Sequence, residues 1–403
     1  MAFTGCRKQV GEAVSRQGKS DRLEGPLYDR QAMGRSVLRI AIVCSWLNQY
    51  GGAERVLDVV HEMYPEAPVY TSIYWPEAMP PAYRSWDIRP SFLNRLPLIK
   101  RHHQPFLPLY PLGFETMDLD GYDLVLSVTS AFAHGVITRP GTVHVSYCLT
   151  PARFLWYDAA YARREQLGPA MRTLLPFFLS GLRTWDAVAA DRVDHFVAIS
   201  RAVQARILKF YRRPARLIYP PVRTAEFAVS GQVDDYYLVV SRLVPYKRID
   251  LAVQAFNALG RTLLIVGDGR DRAALERLAG PNVHFLGRVS DSEIKRYMAR
   301  CQALIFPGEE DFGITPLEAQ AAGRPVIAYG AGGALETVVE GQTGTFFREP
   351  TPESLAAAVA SFDPSQCDPA AIRHHAERFD VVRFKDELGR YLEAVAGEAP
   401  SDK

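Results

Sequence analysis

The chain has 403 residues, enough for two domains of ordinary size. With 48% hydrophobic residues, 23% charged residues and a net charge of +2, it reads as a globular protein, and its charge makes no case for nucleic acid as a partner. Five scattered cysteines (Cys6, Cys44, Cys148, Cys301, Cys367) without CxxC spacing argue against a disulfide framework or zinc site and for a reducing compartment.

Residues 1–33 are polar and lack the apolar centre of a signal peptide. They are expected to form a disordered, dispensable extension, with Met33 as a candidate start. No apolar run approaches the roughly 18 residues of a membrane span. From there, short β-branched runs alternate with helical patterns. LRIAIVCS (38–45) predicts a first strand and ERVLDVVHEMY (54–64) the helix after it; YDLVLSV (122–128), VHVSYC (143–148) and HFVAIS (195–200) continue the series. After Pro220-Pro221 comes a polar stretch, AVSGQVDD (228–235). A second series follows: YYLVVS (236–241), TLLIVGDG (262–269), VHFLG (283–287), ALIFP (303–307) and PVIAY (325–329). Continuous apolar strands between helices imply parallel sheets covered on both faces. The fold class is therefore α/β, with two Rossmann-like domains facing across a cleft. The expected domains are 34–227 and 235–378, with 379–397 a helix returning to the first.

Ligands of such sheets bind beyond the carboxyl ends of the strands, so the loops there carry the chemistry. LNQYGGAERV (47–56) offers Gly51 and Gly52, which allow close backbone approach, ahead of Glu54; an ordinary strand-to-helix turn reads the same way. SRLVPYKRID (241–250) places Arg242, Lys247 and Arg248 together. They form either a solvated turn or a clamp for a diphosphate and the charge it gains on leaving. Gly267-Asp268-Gly269 is a tight turn, serving structure or ligand approach. In FLGRVSDSEI (285–294), Ser290 or Asp291 reads as an N-cap, while the backbone of Gly287, Arg288 and Val289 suits a base edge. In GEEDFGITPLEAQAAGRPVIA (308–328), Glu310 and Glu318 flank a Phe312-Gly313 turn, and the N–H groups of Ile314 and Thr315 form a ready anion site. The competing reading makes Thr315-Pro316-Leu317-Glu318 a capping box. Asp118-Leu119-Asp120 has a metal-binding DxD form but abuts Gly121, and a turn is expected there. No metal and no cofactor are expected.

The order SRLVPYKR, GDG, FLGRVS, EEDFGITPLEAQAAGRPVIA and GGALETVVEGQTG resembles the nucleotide-sugar-dependent retaining glycosyltransferases of GT-B architecture. This is the large glycosyl transferases group 1 family, which includes sucrose synthase and bacterial mannosyltransferases. The resemblance runs from residue 37 to about 396 and is strongest over 236–348. GGAERV, SAFAHGVITRPGTVHVSYC, YPPV and GQTGTFFREPTPESLAAAV also resemble the branch that builds bacterial surface polysaccharides.

That resemblance implies Glu310 against the donor sugar, Glu318 on the ribose hydroxyls, and Phe312, Gly313, Ile314 and Thr315 at the diphosphate. Arg242 and Lys247 would clamp the phosphates, Gly51 and Gly52 would close over the donor, and Gly287 and Val289 would meet the base. The implied catalytic set is Arg242, Lys247 and Glu310. The implied partners are a nucleotide sugar (GDP-mannose or a UDP-sugar) and a glycan or polyprenyl-linked acceptor. The implied location is the cytoplasm, with peripheral contact on the inner face of the membrane. Basic and aromatic residues mixed over 89–114 and 163–185 suit either an anionic membrane surface or a helical lid. In two places the chain departs from the family. Leu149 stands where many relatives carry a donor-sugar histidine, with His134 and His144 as candidate substitutes, and Arg223 stands where many carry aspartate. A nucleotide-sugar epimerase and a non-catalytic nucleotide-sugar-binding partner are the alternatives.

Overall fold

The computed structural model describes residues 38–156 and 169–397, with the side chains of 169–177 left aside. The extension expected over 1–33 and the stretch 163–168 lie outside the described residues. Two parallel sheets form the frame. The first comprises β1 (Ile40–Cys44), β2 (Val69–Thr71), β3 (Ile88–Pro90), β4 (Leu124–Thr129), β5 (Val143–Cys148), β6 (His195–Ala198) and β7 (Ala215–Leu217), in the order β3-β2-β1-β4-β5-β6-β7. The second comprises β8 (Tyr237–Val240), β9 (Leu263–Val266), β10 (Val283–Gly287), β11 (Leu304–Phe306), β12 (Val326–Tyr329) and β13 (Gly344–Phe347), in the order β10-β9-β8-β11-β12-β13. Every strand pair is parallel, so each crossover runs through a helix or an extended connection.

The sequence explains the layering. The central strands are apolar on both faces, and β1, β4 and β5 are buried at every residue. Such strands are stable only when helices cover both sides. In the first sheet one face packs through Val56, Leu57 and Val60 of the helix Gly52–Met63, and through Phe384, Leu388 and Leu392 of the helix Val381–Gly397. The last helix of the chain thus seals the first sheet. Lys385 Nζ of that helix pairs with Glu62 at 2.9 Å, and the rings of Tyr147 and Phe384 meet edge to face at 5.6 Å.

In both sheets the strand order reverses beside the first strand, between β1 and β4 and between β8 and β11. At such a switch point neighbouring loops diverge and leave a crevice at the carboxyl ends. The basic loop follows β8, and the two-glutamate loop follows β11, so the topology itself sets them side by side.

Candidate active site

The helix Gly52–Met63 opens at Gly52, two residues earlier than its pattern predicts, with Gly51 as an extended N-cap. The Gly-Gly pair is therefore the helix end itself. A methyl built on Gly52 would lie 3.7 Å from Ile314 Cδ1, so this end faces the start of the helix Ile314–Ala321 in the second half. Glu54 folds back on the backbone N–H groups of Glu54 and Gly51. Burial pushes its carboxyl up to about 7, a rise that those hydrogen bonds and nearby Arg242 oppose. The unfolded chain releases this proton near the ordinary value of 4.5, and the folded chain releases it near 7, so stability falls across that window as pH rises. Glu54→Gln should match the native chain in melting temperature near pH 5 and exceed it by a few degrees at pH 8. Thermal scans at the two pH values check this.

On the second half, the helix Ile314–Ala321 begins at Ile314 with Gly313 as N-cap, at φ +100°, and no side chain caps it. Thr315 is already inside the helix, so the capping-box arrangement does not form. Glu318 turns outward instead, and its Oε1 pairs with Arg55 of the first half. The residue is 8% exposed; burial raises its carboxyl above the ordinary range, and Arg55 pulls it back. Glu310 pairs with Lys247 Nζ, joining the loops after β8 and β11. Arg242 donates to Gln49 Oε1 of the first half at 3.2 Å and to Tyr246 Oη at 2.9 Å.

The glycines divide by role. A methyl on Gly267 would fall 1.9 Å from the carbonyl oxygen of Ser241, and one on Gly333 would fall 2.2 Å from Phe312 Cα. These glycines let backbone pack on backbone: Gly267 holds the GDG turn against the basic loop, and Gly333 donates its N–H to the carbonyl of Glu310 at 2.9 Å. Of the expected donor contacts, Phe312 has its ring buried between Tyr219 and Phe379, at centroid distances of 5.6 and 5.8 Å. Only the backbone there can face a ligand. Gly287 ends the edge strand β10 and Val289 lies two residues beyond it; Gly287 accepts the N–H of Gly267 at 2.8 Å, and Val289 packs against the core that contains Leu238 and Met298.

The histidine candidates are not in the cleft. His144 is fully buried in β5 against Ser127 Oγ at 2.9 Å, and burial pushes it down to about 3, helped by His134. His134 is buried against Asp186, which also accepts hydrogen bonds from Trp156 and Tyr211, each at 2.8 Å. Leu149 packs at the edge of the first core. Arg223 pairs with Glu62 on the helix Gly52–Met63. The DxD stretch makes a turn, in which Asp118 accepts the N–H of Asp120 and Asp120 pairs with Arg139.

Several cross-cleft partners had no signal in the sequence. Arg153 and Arg206 of the first half both pair with Asp311. The carboxylate of Glu336, from the GGALET loop, accepts the N–H groups of Arg201 at 2.8 Å and Ala202 at 3.4 Å, and Tyr219 donates to it at 3.1 Å. The segment 89–114 folds into 3-10 turns and a short helix (Tyr110–Glu115). Leu98 there is 72% exposed and Leu112 is 51% exposed, while Leu93, Ile99 and Phe114 are buried. Among the described residues, no helix is long and apolar enough to cross a membrane.

Comparison with known proteins places the fold and the family. The family model described as "Glycosyl transferases group 1" matches residues 223–377. The GDP-mannose-dependent alpha-(1-6)-phosphatidylinositol monomannoside mannosyltransferase of Mycobacterium tuberculosis is 36% identical over 300 residues, covering 60% of this chain and 77% of that protein. Human alpha-1,3/1,6-mannosyltransferase ALG2 is 29% identical over 215 residues, covering 44% and 51%. The chain spans about half the length of the first curated relatives it matches. Among solved structures, the sucrose-phosphate synthase of Thermosynechococcus elongatus superposes with a TM-score of 0.70 at 17% identity, over 89% of this chain and 100% of that one. Anabaena HepE in complex with UDP and glucose gives 0.66 at 20% identity, with the same coverage. Their fold is shared: two parallel sheets with helices, the GT-B architecture. With more than a third of aligned residues identical to the mycobacterial enzyme over most of its length, the chain belongs to the glycosyl transferases group 1 family.

Proposed function

We propose that the chain is a retaining hexosyltransferase that moves mannose from GDP-mannose onto a lipid-linked or growing glycan acceptor in surface polysaccharide synthesis. The observation that carries this reading is the convergence of Arg242, Lys247, Glu310 and Glu318 at the switch point of the second sheet, facing the helix end at Gly51 and Gly52. Glu318 would hold the ribose diol, since a carboxylate accepts two adjacent hydroxyls; with Oε1 on Arg55, Oε2 is left for a hydroxyl. The N–H groups at Gly313, Ile314 and Thr315 would meet the diphosphate. Gly287 and Val289 would contact the base through the backbone.

In the reaction, the bond between the sugar's anomeric carbon and the β-phosphate oxygen breaks, and its electron pair goes to the phosphate. Arg242 and Lys247 stabilise that charge where it develops. The acceptor hydroxyl attacks from the same face, and its proton passes to the departing phosphate. Glu310, bound to Lys247, faces the sugar and orients it. No protein base is required, in contrast to the two-carboxylate scheme of glycosidases. The mannosyl donor is supported by the names of the relatives, and a UDP-sugar by the ligands of HepE. Exposed Leu98 and Leu112, beside Arg95, Lys100 and Arg101, support peripheral contact of the first half with an anionic membrane.

Leu149 favours one second reading, a nucleotide-sugar-binding partner without turnover. Thermal-shift screening against GDP-, UDP- and ADP-sugars, followed by nucleoside diphosphate release from the best binder with glycan acceptors, separates the two. Stabilisation by GDP-mannose with turnover is expected. Stabilisation without turnover would favour the binding partner, and no stabilisation by any nucleotide sugar would remove both readings.

A further inference from the structure

Arg153 begins the short helix Arg153–Trp156, four residues beyond Leu149. It is 29% exposed and reaches across to Asp311, with Nη2 at 2.7 Å and Nε at 3.2 Å from Oδ1. Its guanidinium carbon lies 5.6 Å from the centroid of the Tyr246 ring. Lys247 Nζ lies 5.4 Å from the same centroid, and Arg242 donates to the hydroxyl of that tyrosine. Three cations from both halves therefore gather on one aromatic side chain, in the loop read as the diphosphate clamp.

One carboxylate oxygen serves two guanidiniums: Asp311 Oδ1 takes both Arg153 and Arg206. Arg206 has a second acidic neighbour, Glu309, at 3.6 Å. Among the described residues, the ion-pair partner of Arg153 is Asp311. Arg206 can thus keep Asp311 while Arg153 moves to a new anion. A guanidinium partly withdrawn from water, sharing its carboxylate oxygen with a second cation, favours an incoming anion.

We propose that Arg153 is the first half's cation for the donor diphosphate. When a nucleotide diphosphate binds, Arg153 leaves Asp311 to Arg206 and turns its planar fork onto the β-phosphate oxygens, a geometry that suits arginine. It takes up and releases no proton. It supplies a polar contact to the donor diphosphate from the first half, and it exchanges one cross-cleft partner, Asp311, for another, the phosphate. The inference rests on the nucleotide-sugar reading above.

Calorimetric titration of the full chain with GDP, UDP, GMP and UMP tests it. The native chain should bind its diphosphate more tightly than the matching monophosphate. Arg153→Met, which keeps the stem, should lose about tenfold in diphosphate affinity and leave monophosphate affinity unchanged. Arg153→Lys should recover part of the loss, having charge without the fork. Asp311→Asn should keep or improve diphosphate affinity, because it removes the competing carboxylate. If Arg153→Met does not fold, Arg153→Lys and Asp311→Asn carry the test. Equal loss of monophosphate and diphosphate binding, no loss at all, or a loss in Asp311→Asn matching that of Arg153→Met would overturn the proposal. Failure of the native chain to bind any of the four nucleotides would overturn the transferase reading itself, before any variant is made.

Discussion

Replacing Lys247 with alanine is expected to lower kcat by about 10²–10³-fold, because a cation aimed at developing charge acts on the transition state more than on the bound ground state. Lys247 sits in a 3-10 turn, Pro245–Lys247, whose carbonyl end packs against Gly308 of the glutamate loop. Its charge is therefore held by backbone and not by a mobile surface turn. Arg242→Ala should act in the same direction. The double mutant should fall well short of the product of the two losses if both cations serve one diphosphate, as proposed. Steady-state kinetics of the two single mutants and the double mutant measure this. Near-normal kcat in both single mutants would make the loop an ordinary basic turn.

The two glutamates should separate cleanly. Glu310→Gln is expected to bind GDP or UDP almost as the native chain does while turnover collapses, because in the proposed reading its carboxylate faces the sugar. Glu318→Gln should weaken the bare nucleoside diphosphate and the nucleotide sugar alike, by about tenfold, the worth of a charge-assisted hydrogen bond. Titration calorimetry beside rate measurements distinguishes the two patterns. Because Glu318 also pairs with Arg55, the melting temperature of Glu318→Gln must be read too. Arg55→Met, which breaks the same ion pair from the other side, should not reproduce the nucleotide loss if the ribose is what Glu318 holds. Unimpaired binding and turnover in both glutamate mutants would leave this stretch as a plain helix start.

The parts legible in the sequence were those with local cause. The run VHVSYC forms β5 over the residues expected and is buried at every residue, and a strand buried on both faces needs no partner to reveal it. The strands β3, β7 and β13 carried no such signal. They have three or four residues and lie at sheet edges, and β3 and β13 include Pro90 and Gly344, so neighbours rather than period define them. The site divides the same way. Arg242, Lys247, Glu310 and Glu318 follow strands of one sheet, and strand order alone groups their loops. Arg55 and Glu318 are 263 residues apart, and Arg153 and Asp311 are 158 apart; no spacing rule connects such pairs. His144 misled as a candidate ligand although it lies in a strand buried at every residue, where a side chain points into packed protein.

Glu336 completes a helix that belongs to the other half of the molecule. Ser200 accepts the N–H of Val203 at 3.0 Å, and Glu336 takes those of Arg201 and Ala202, so the first turn of the helix Arg201–Tyr211 is satisfied only while the halves are together. When they part, two amides pass from carboxylate to solvent, and the helix end frays. Deuterium uptake at Arg201 and Ala202 thus becomes a clock for the opening motion. Its rate would follow the fraction of time the halves spend apart, whereas Val203, capped within its own half, would exchange more slowly. A saturating ligand that locks the halves together would stop the first clock and leave the second untouched.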